Sequence, residues 1–110
     1  YPEAYAADCH AMMKNDNQLG WYSFAVTDAT QNKGIYNMYT QDKIGGNRAV
    51  NYEAFYVALK KVADHIEWQM KHEEEEKTLG LPWGISCGLA GGNWGIIFSI
   101  INDILIDLFI

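Results

Sequence analysis

Between Asn51 and Met70 the apolar residues Tyr52, Phe55, Tyr56, Leu59, Val62, Ala63, Ile66 and Met70 recur at steps of three and four. That is the period of an α-helix with one apolar stripe, and the stripe is predicted to pack on a sheet that includes Ile35 to Tyr39 and Trp83 to Cys87. Asn51 stands where a cap is needed, because its side-chain oxygen can accept from a free N–H of the first turn. The rest of the chain is arranged around this helix. Its end runs into Glu73-Glu74-Glu75-Glu76, an acidic stretch predicted to be solvated, and Gly80 and Pro82 close the connection that follows.

Upstream, Pro2 and Glu3 suit a first helical turn, and Ala4, Tyr5, Ala7, Ala11 and Met12 extend a helix to about Met13. The polar run from Lys14 to Gln18 ends it. Tyr22, Phe24 and Val26 alternate with Ser23, Ala25 and Thr27, the period of a strand. Asp28 to Gly34 forms a polar turn before a second strand from Ile35 to Thr40, so the pair predicts a hairpin. Gln41 to Arg48 reads as a loop from its glycines and charges. Downstream, Trp83 to Cys87 is predicted as a buried strand, Trp94 to about Leu105 as a helix, and Ile106 to Ile110 as a closing strand. Strands alternating with helices imply the α/β class, with a sheet covered on both faces.

The chain has 110 residues, 49% of them hydrophobic, which suits one domain able to bury roughly two-thirds of its unfolded surface. A net charge of −6 and a pI near 4.8 argue against nucleic-acid binding through a basic patch. Cys9 and Cys87 are too few for a disulfide framework, and a reducing, cytoplasmic setting is expected. No signal-peptide pattern precedes Tyr1, and residues upstream of it are expected in the natural protein. The apolar tail from Gly95 to Ile110 carries Asp103 and Asp107 and falls short of the roughly 20 apolar residues of a membrane span. No membrane partner is expected, and both aspartates are predicted to reach solvent.

The stretch with chemical content is Gly84-Ile85-Ser86-Cys87-Gly88-Leu89-Ala90-Gly91-Gly92-Asn93-Trp94, an apolar segment running into glycines that open a helix. Glycines at such a turn let backbone approach a ligand, and the unpaired N–H groups of the helix start suit an anion such as phosphate. The stretch lacks the Gly-Lys-Ser/Thr of a P-loop and the spacing of G-x-G-x-x-G. Two other readings stand beside this one. Gly91 and Gly92 could simply allow tight helix packing, and Asp107 could stand in for the ribose-binding acid of a dinucleotide fold.

Other candidates have plainer explanations. Cys87 has no neighbouring His and reads as a small buried hydrophobe rather than a nucleophile. His65 and His72 share a helix face with Glu73 nearby, but no third ligand of matching spacing makes a metal site, and Cys9-His10 has the same shortfall. Tyr36, Tyr39 and Trp94 could stack on a base or ribose, or belong to the core. Asn37, Thr40 and Gln41 lie near a strand end, as substrate contacts or loop anchors, and Asp42 and Lys43 could supply an acid or a charge.

The run from Ile85 to Trp94 closely resembles the second ligand loop of macro domains, the ADP-ribose-binding family, in particular the branch that processes ADP-ribose 1″-phosphate. Tyr1-Pro2-Glu3-Ala4-Tyr5 resembles the end of that family's first helix, Ile35-Tyr36-Asn37-Met38-Tyr39-Thr40-Gln41 its central strand, and Asn51-Tyr52-Glu53-Ala54 the start of its long helix. The resemblance implies a three-layer α/β/α sandwich with a mixed central sheet and ADP-ribose, or its 1″-phosphate, in a cleft at the strand ends. Ser86, Cys87, Gly88, Leu89, Ala90, Gly91, Gly92, Asn93 and Trp94 would then wrap the diphosphate and distal ribose, with Asn37, Tyr39, Thr40 and Gln41 alongside. No cofactor or metal is implied. The family's initial strands, adenine-contacting acid and first ligand loop have no counterpart in this sequence, so catalytic residues are expected upstream of Tyr1. Where one hydrolase branch carries an acid, this chain has Ala90, which cannot do acid–base work. Three functions follow: hydrolysis of ADP-ribose 1″-phosphate or of an ADP-ribosyl conjugate, non-catalytic reading of ADP-ribose, or a dinucleotide-binding piece of an oxidoreductase.

Overall fold

The computed structural model describes residues 2–14, 19–30, 33–41, 50–85 and 92–109. In chain order these form α1 (Pro2–Lys14), β1 (Tyr22–Asp28), β2 (Lys33–Met38), α2 (Tyr52–Glu73) and α3 (Trp94–Phe109). The molecule is mixed α/β, and β1 and β2 form a two-stranded antiparallel sheet.

The hairpin follows from the alternation in β1. Tyr22 pairs with Met38, Phe24 with Tyr36 and Val26 with Gly34, and the register slips between Val26 and Asp28 as the turn begins. A side chain at Gly34 would place its Cβ 2.5 Å from the Phe24 ring, so glycine is what lets that ring lie across β2. Ser23 and Ala25 are buried on one face. On that side α1 packs against β1, with Ala4 buried and its carbonyl accepting from Asn37 Nδ2 at 3.5 Å. On the other face Tyr22 and Phe24 meet His65 of α2.

The long helix begins as its cap predicts. Asn51 has extended backbone (φ −97°, ψ 109°) and its Oδ1 accepts from the Ala54 N–H at 2.9 Å, while its own N–H donates to the Thr40 carbonyl at 2.8 Å. Asn51→Ala should therefore cost about 1 kcal/mol in urea unfolding, with the folded spectrum unchanged. Phe55, Leu59, Val62, Ala63 and Ile66 of the stripe are buried; Tyr56 stays exposed. Glu74 ends the helix in the left-handed conformation (φ 51°, ψ 41°), and Glu73 to Glu76 are exposed as the sequence predicts.

The partner that covers most of the stripe is the helix α3 and not the sheet expected from the sequence, because the two-stranded hairpin reaches only part of α2. Phe55, Leu59 and Ala63 form one core cluster with Ile97 and Ile104, and Tyr52, Ile85, Trp94, Ile101, Leu105 and Leu108 pack around it. Two further expectations are corrected. Ile106 to Phe109 do not form the closing strand expected over Ile106 to Ile110, because α3 continues to Phe109; Ile110 lies outside the described residues. The apolar steps Ile97, Ile101, Ile104 and Leu108 keep the helical period, so extending the helix buries what a strand would have buried. Nor do Trp83 to Ile85 form a strand. Gly84 takes φ +72°, the Ile85 N–H donates to the Pro82 carbonyl at 3.1 Å, and the resulting turn leaves Trp83 84% exposed. Asp103 and Asp107 are exposed, as predicted.

Candidate functional site

A groove of about 700 Å³ runs between β2, α2 and the connection from Lys77 to Ile85. Apolar residues border it from both sides, Leu59, Val62 and Ile66 of α2 and Phe24, Val26 and Ile35 of the hairpin. The far wall is the Lys77–Pro82 connection, which returns along α2. At one end Lys77 is held by Glu73 at 2.8 Å and Glu75 at 3.9 Å. Asn37, Thr40, Gln41 and Ile85 also line the groove. A volume of this size lies within the range of small-molecule sites, which combine apolar walls with a few polar groups.

Near Thr40 and Gln41 several elements start or end together. Gln41 bridges to Val50, Asn51 binds the Thr40 carbonyl, and Tyr52 opens α2. The Tyr52 hydroxyl accepts from the Asn93 N–H at 2.9 Å, which ties the start of α2 to the residue that precedes α3. Asn93 caps α3: its Oδ1 accepts from the Ile96 N–H at 3.3 Å and its carbonyl from the Ile97 N–H at 3.0 Å. The glycine run thus enters from Ile85, on the groove, and leaves at Gly92 and Asn93, beside Tyr52. Ser86, Cys87, Gly88, Leu89, Ala90 and Gly91 lie outside the described residues, as do Asp42 and Lys43.

The remaining sequence-predicted residues divide. Thr40 is buried and Gln41 exposed, both on the groove. Tyr39 lies off the groove lining, and its hydroxyl donates to Ser23 Oγ at 3.1 Å. Trp94 packs against Trp83 and Phe98, with ring centroids 4.9 and 5.8 Å away. Cys9 is a free, half-buried thiol. Leu59, Val62 and Ile66 read in sequence only as core stripe, and the Lys77–Pro82 wall carried no signal beyond Gly80 and Pro82.

Tyr36 and His65 belong to an aromatic cluster where the hairpin meets α2. The Tyr36 hydroxyl lies 2.5 Å from His65 Nδ1, and Tyr22 and Phe24 close around the pair. On α2, Trp68 stacks parallel to His65 and is itself stacked on His72. His65 and His72 are therefore occupied by ring contacts, and no group of three metal-ligating side chains occurs among the described residues.

Burial pushes the Tyr36 hydroxyl far above its usual range, with Tyr22 adding to the rise. Burial lowers the His65 pKa, and the Glu73 charge opposes that shift without overcoming it. A lowered folded-state pKa means that folding favours the neutral imidazole. The stability it contributes is complete above about pH 6.5 and is lost as pH falls toward the depressed value. Urea midpoints measured from pH 8 to pH 5 should fall more steeply for the wild type than for His65→Gln.

Comparison with protein-family models, with curated proteins and with solved structures finds no match to this chain. Among the described residues no helix is long and apolar enough to cross a membrane.

Proposed function

We propose that this chain binds ADP-ribose or ADP-ribose 1″-phosphate as part of a macro-type domain, and that the complete domain hydrolyses the phosphate or an ADP-ribosyl conjugate. The observation that most supports this reading is the groove that brings Thr40 and Gln41 together with Ile85, where the glycine run begins; Asn37 borders it too, but its side chain is engaged by Ala4 of α1. An acidic chain has to hold a diphosphate by backbone dipoles rather than by lysines, and glycines ahead of a helix supply those dipoles. The reading carries with it the three-layer α/β/α sandwich and the mixed central sheet. Ala90 supports the alternative of a reader without turnover, since an alanine provides no acid. Asp107 sits exposed on α3, which weakens the dinucleotide alternative.

Calorimetric titration with ADP-ribose tests the binding, and phosphate release from ADP-ribose 1″-phosphate tests the turnover. Saturable binding with phosphate release fits the hydrolase, and binding without release fits the reader. No binding at millimolar ADP-ribose would remove both.

A further inference from the structure

The outer face of α3 carries exposed large apolar side chains among Ser99, Asn102, Asp103 and Asp107. Phe98 is 52% exposed, Ile96 46%, Ile106 41% and Phe109 38%, and at its N-terminal end exposed Trp83 packs on Trp94. Phe98, Asn102, Ile106 and Phe109 succeed one another at steps of three and four, so they form one ridge along the helix. The Ser99 hydroxyl is turned inward on its own helix, donating to the Gly95 carbonyl at 2.9 Å, which removes a polar group from the same face. Beside the ridge stand Asp103 and Asp107, one turn apart and exposed, and neither has an ion-pair partner among the described residues.

Charge decides what this face can receive. α3 contains no lysine or arginine. A second copy docked α3 on α3 would bring the aspartates of both chains into one interface without a cation, and an anionic lipid surface would be repelled by the same carboxylates. A wholly apolar partner would desolvate the two aspartates without compensation. A helix with an apolar stripe flanked by Lys or Arg meets each requirement: its stripe covers Phe98, Ile106 and Phe109, and its cations face Asp103 and Asp107.

We propose that the outer face of α3 docks a basic amphipathic helix of a partner protein, with Phe98, Ile106 and Phe109 as the anchors and Asp103 and Asp107 setting the charge of the partner. This surface is separate from the groove and does not depend on what the groove binds.

The probe is a fluorescein-labelled helical peptide with leucines on one face and lysines along its flanks, compared by anisotropy with the same peptide carrying glutamates. The lysine peptide should bind, and the glutamate peptide should not. The double substitution Phe98→Ser, Ile106→Ser should weaken lysine-peptide binding at least tenfold while circular dichroism stays unchanged, because both side chains are about half exposed and neither belongs to the buried cluster of Phe55, Leu59, Ala63, Ile97 and Ile104. Asp103→Lys with Asp107→Lys should reverse the preference between the peptides. Four results would overturn the proposal: no binding of the lysine peptide, equal binding of both peptides, lysine-peptide affinity indifferent to the serine substitutions, or a sedimenting dimer or phosphatidylserine-vesicle binding that those substitutions abolish. Indifference to the serines would mean that net charge alone attracts the peptide.

Discussion

Leu59→Ala is expected to lower the unfolding free energy by about 2–5 kcal/mol, the range for truncating a buried leucine in a packed core. Leu59 is 1% exposed and sits in the cluster of Phe55, Ala63, Ile97 and Ile104. It also lies under the groove, so truncation removes packing toward α3 while deepening an opening that is already present. Relaxation from the α3 side would reduce the loss, and an unfilled void would push it to the upper end. Domains of this size have about 5–15 kcal/mol in total, so the change is a large fraction. With a urea slope of about 1–3 kcal/mol/M the midpoint should fall by about 1 M or more. Ile106→Ala removes similar apolar bulk from the exposed side of α3 and should change stability by about 0.5 kcal/mol or less. Comparable losses for the two would mean that the α2–α3 interface is not the core.

The features legible in the sequence are those set by periodicity over a short span. The alternation from Tyr22 to Val26 marked β1, and the stripe from Tyr52 to Ile66 marked the buried face of α2, cap included. The turn read from Asp28 to Gly34 is too long, since Asp28 ends β1 and Lys33 and Gly34 already open β2. Ile106 to Ile110 misled because β-branched residues favour strands, whereas the side chains of α3 answer to α2, a constraint local propensity does not carry. Trp83 to Ile85 misled for a related reason: their apolar character fits a strand, but Gly84 at positive φ turns the backbone. The groove is assembled from β2, α2 and the Lys77–Ile85 connection, segments separated by tens of residues. Thr40 and Gln41 were visible as polar groups at a strand end. That they share a groove with Leu59 and Pro82 depends on chain return, which no window of sequence contains.

Gly91→Val is expected to weaken ADP-ribose binding by more than a hundredfold while leaving the fold intact. Micromolar affinity corresponds to about −8 kcal/mol, and charge-assisted hydrogen bonds contribute about 1.5–3 kcal/mol each. On the proposed reading, in which the backbone of this run holds the diphosphate, a branched side chain there displaces at least two such bonds. Two bonds at the lower figure amount to about 3 kcal/mol, a little over two decades in affinity. The run begins beside Ile85 on the groove and ends at Asn93, which already serves α3 through Oδ1 and Tyr52 through its N–H. Asn93 is thus committed to structure, and the backbone donors proposed for the anion are those before it. Calorimetry of wild type against Gly91→Val, with circular dichroism of both, makes the comparison. A folded variant that binds ADP-ribose as tightly as the wild type would show that the glycines serve packing and that the diphosphate lies elsewhere. A variant with intact spectra, an unchanged urea midpoint and lost binding would assign the backbone of this run to the ligand.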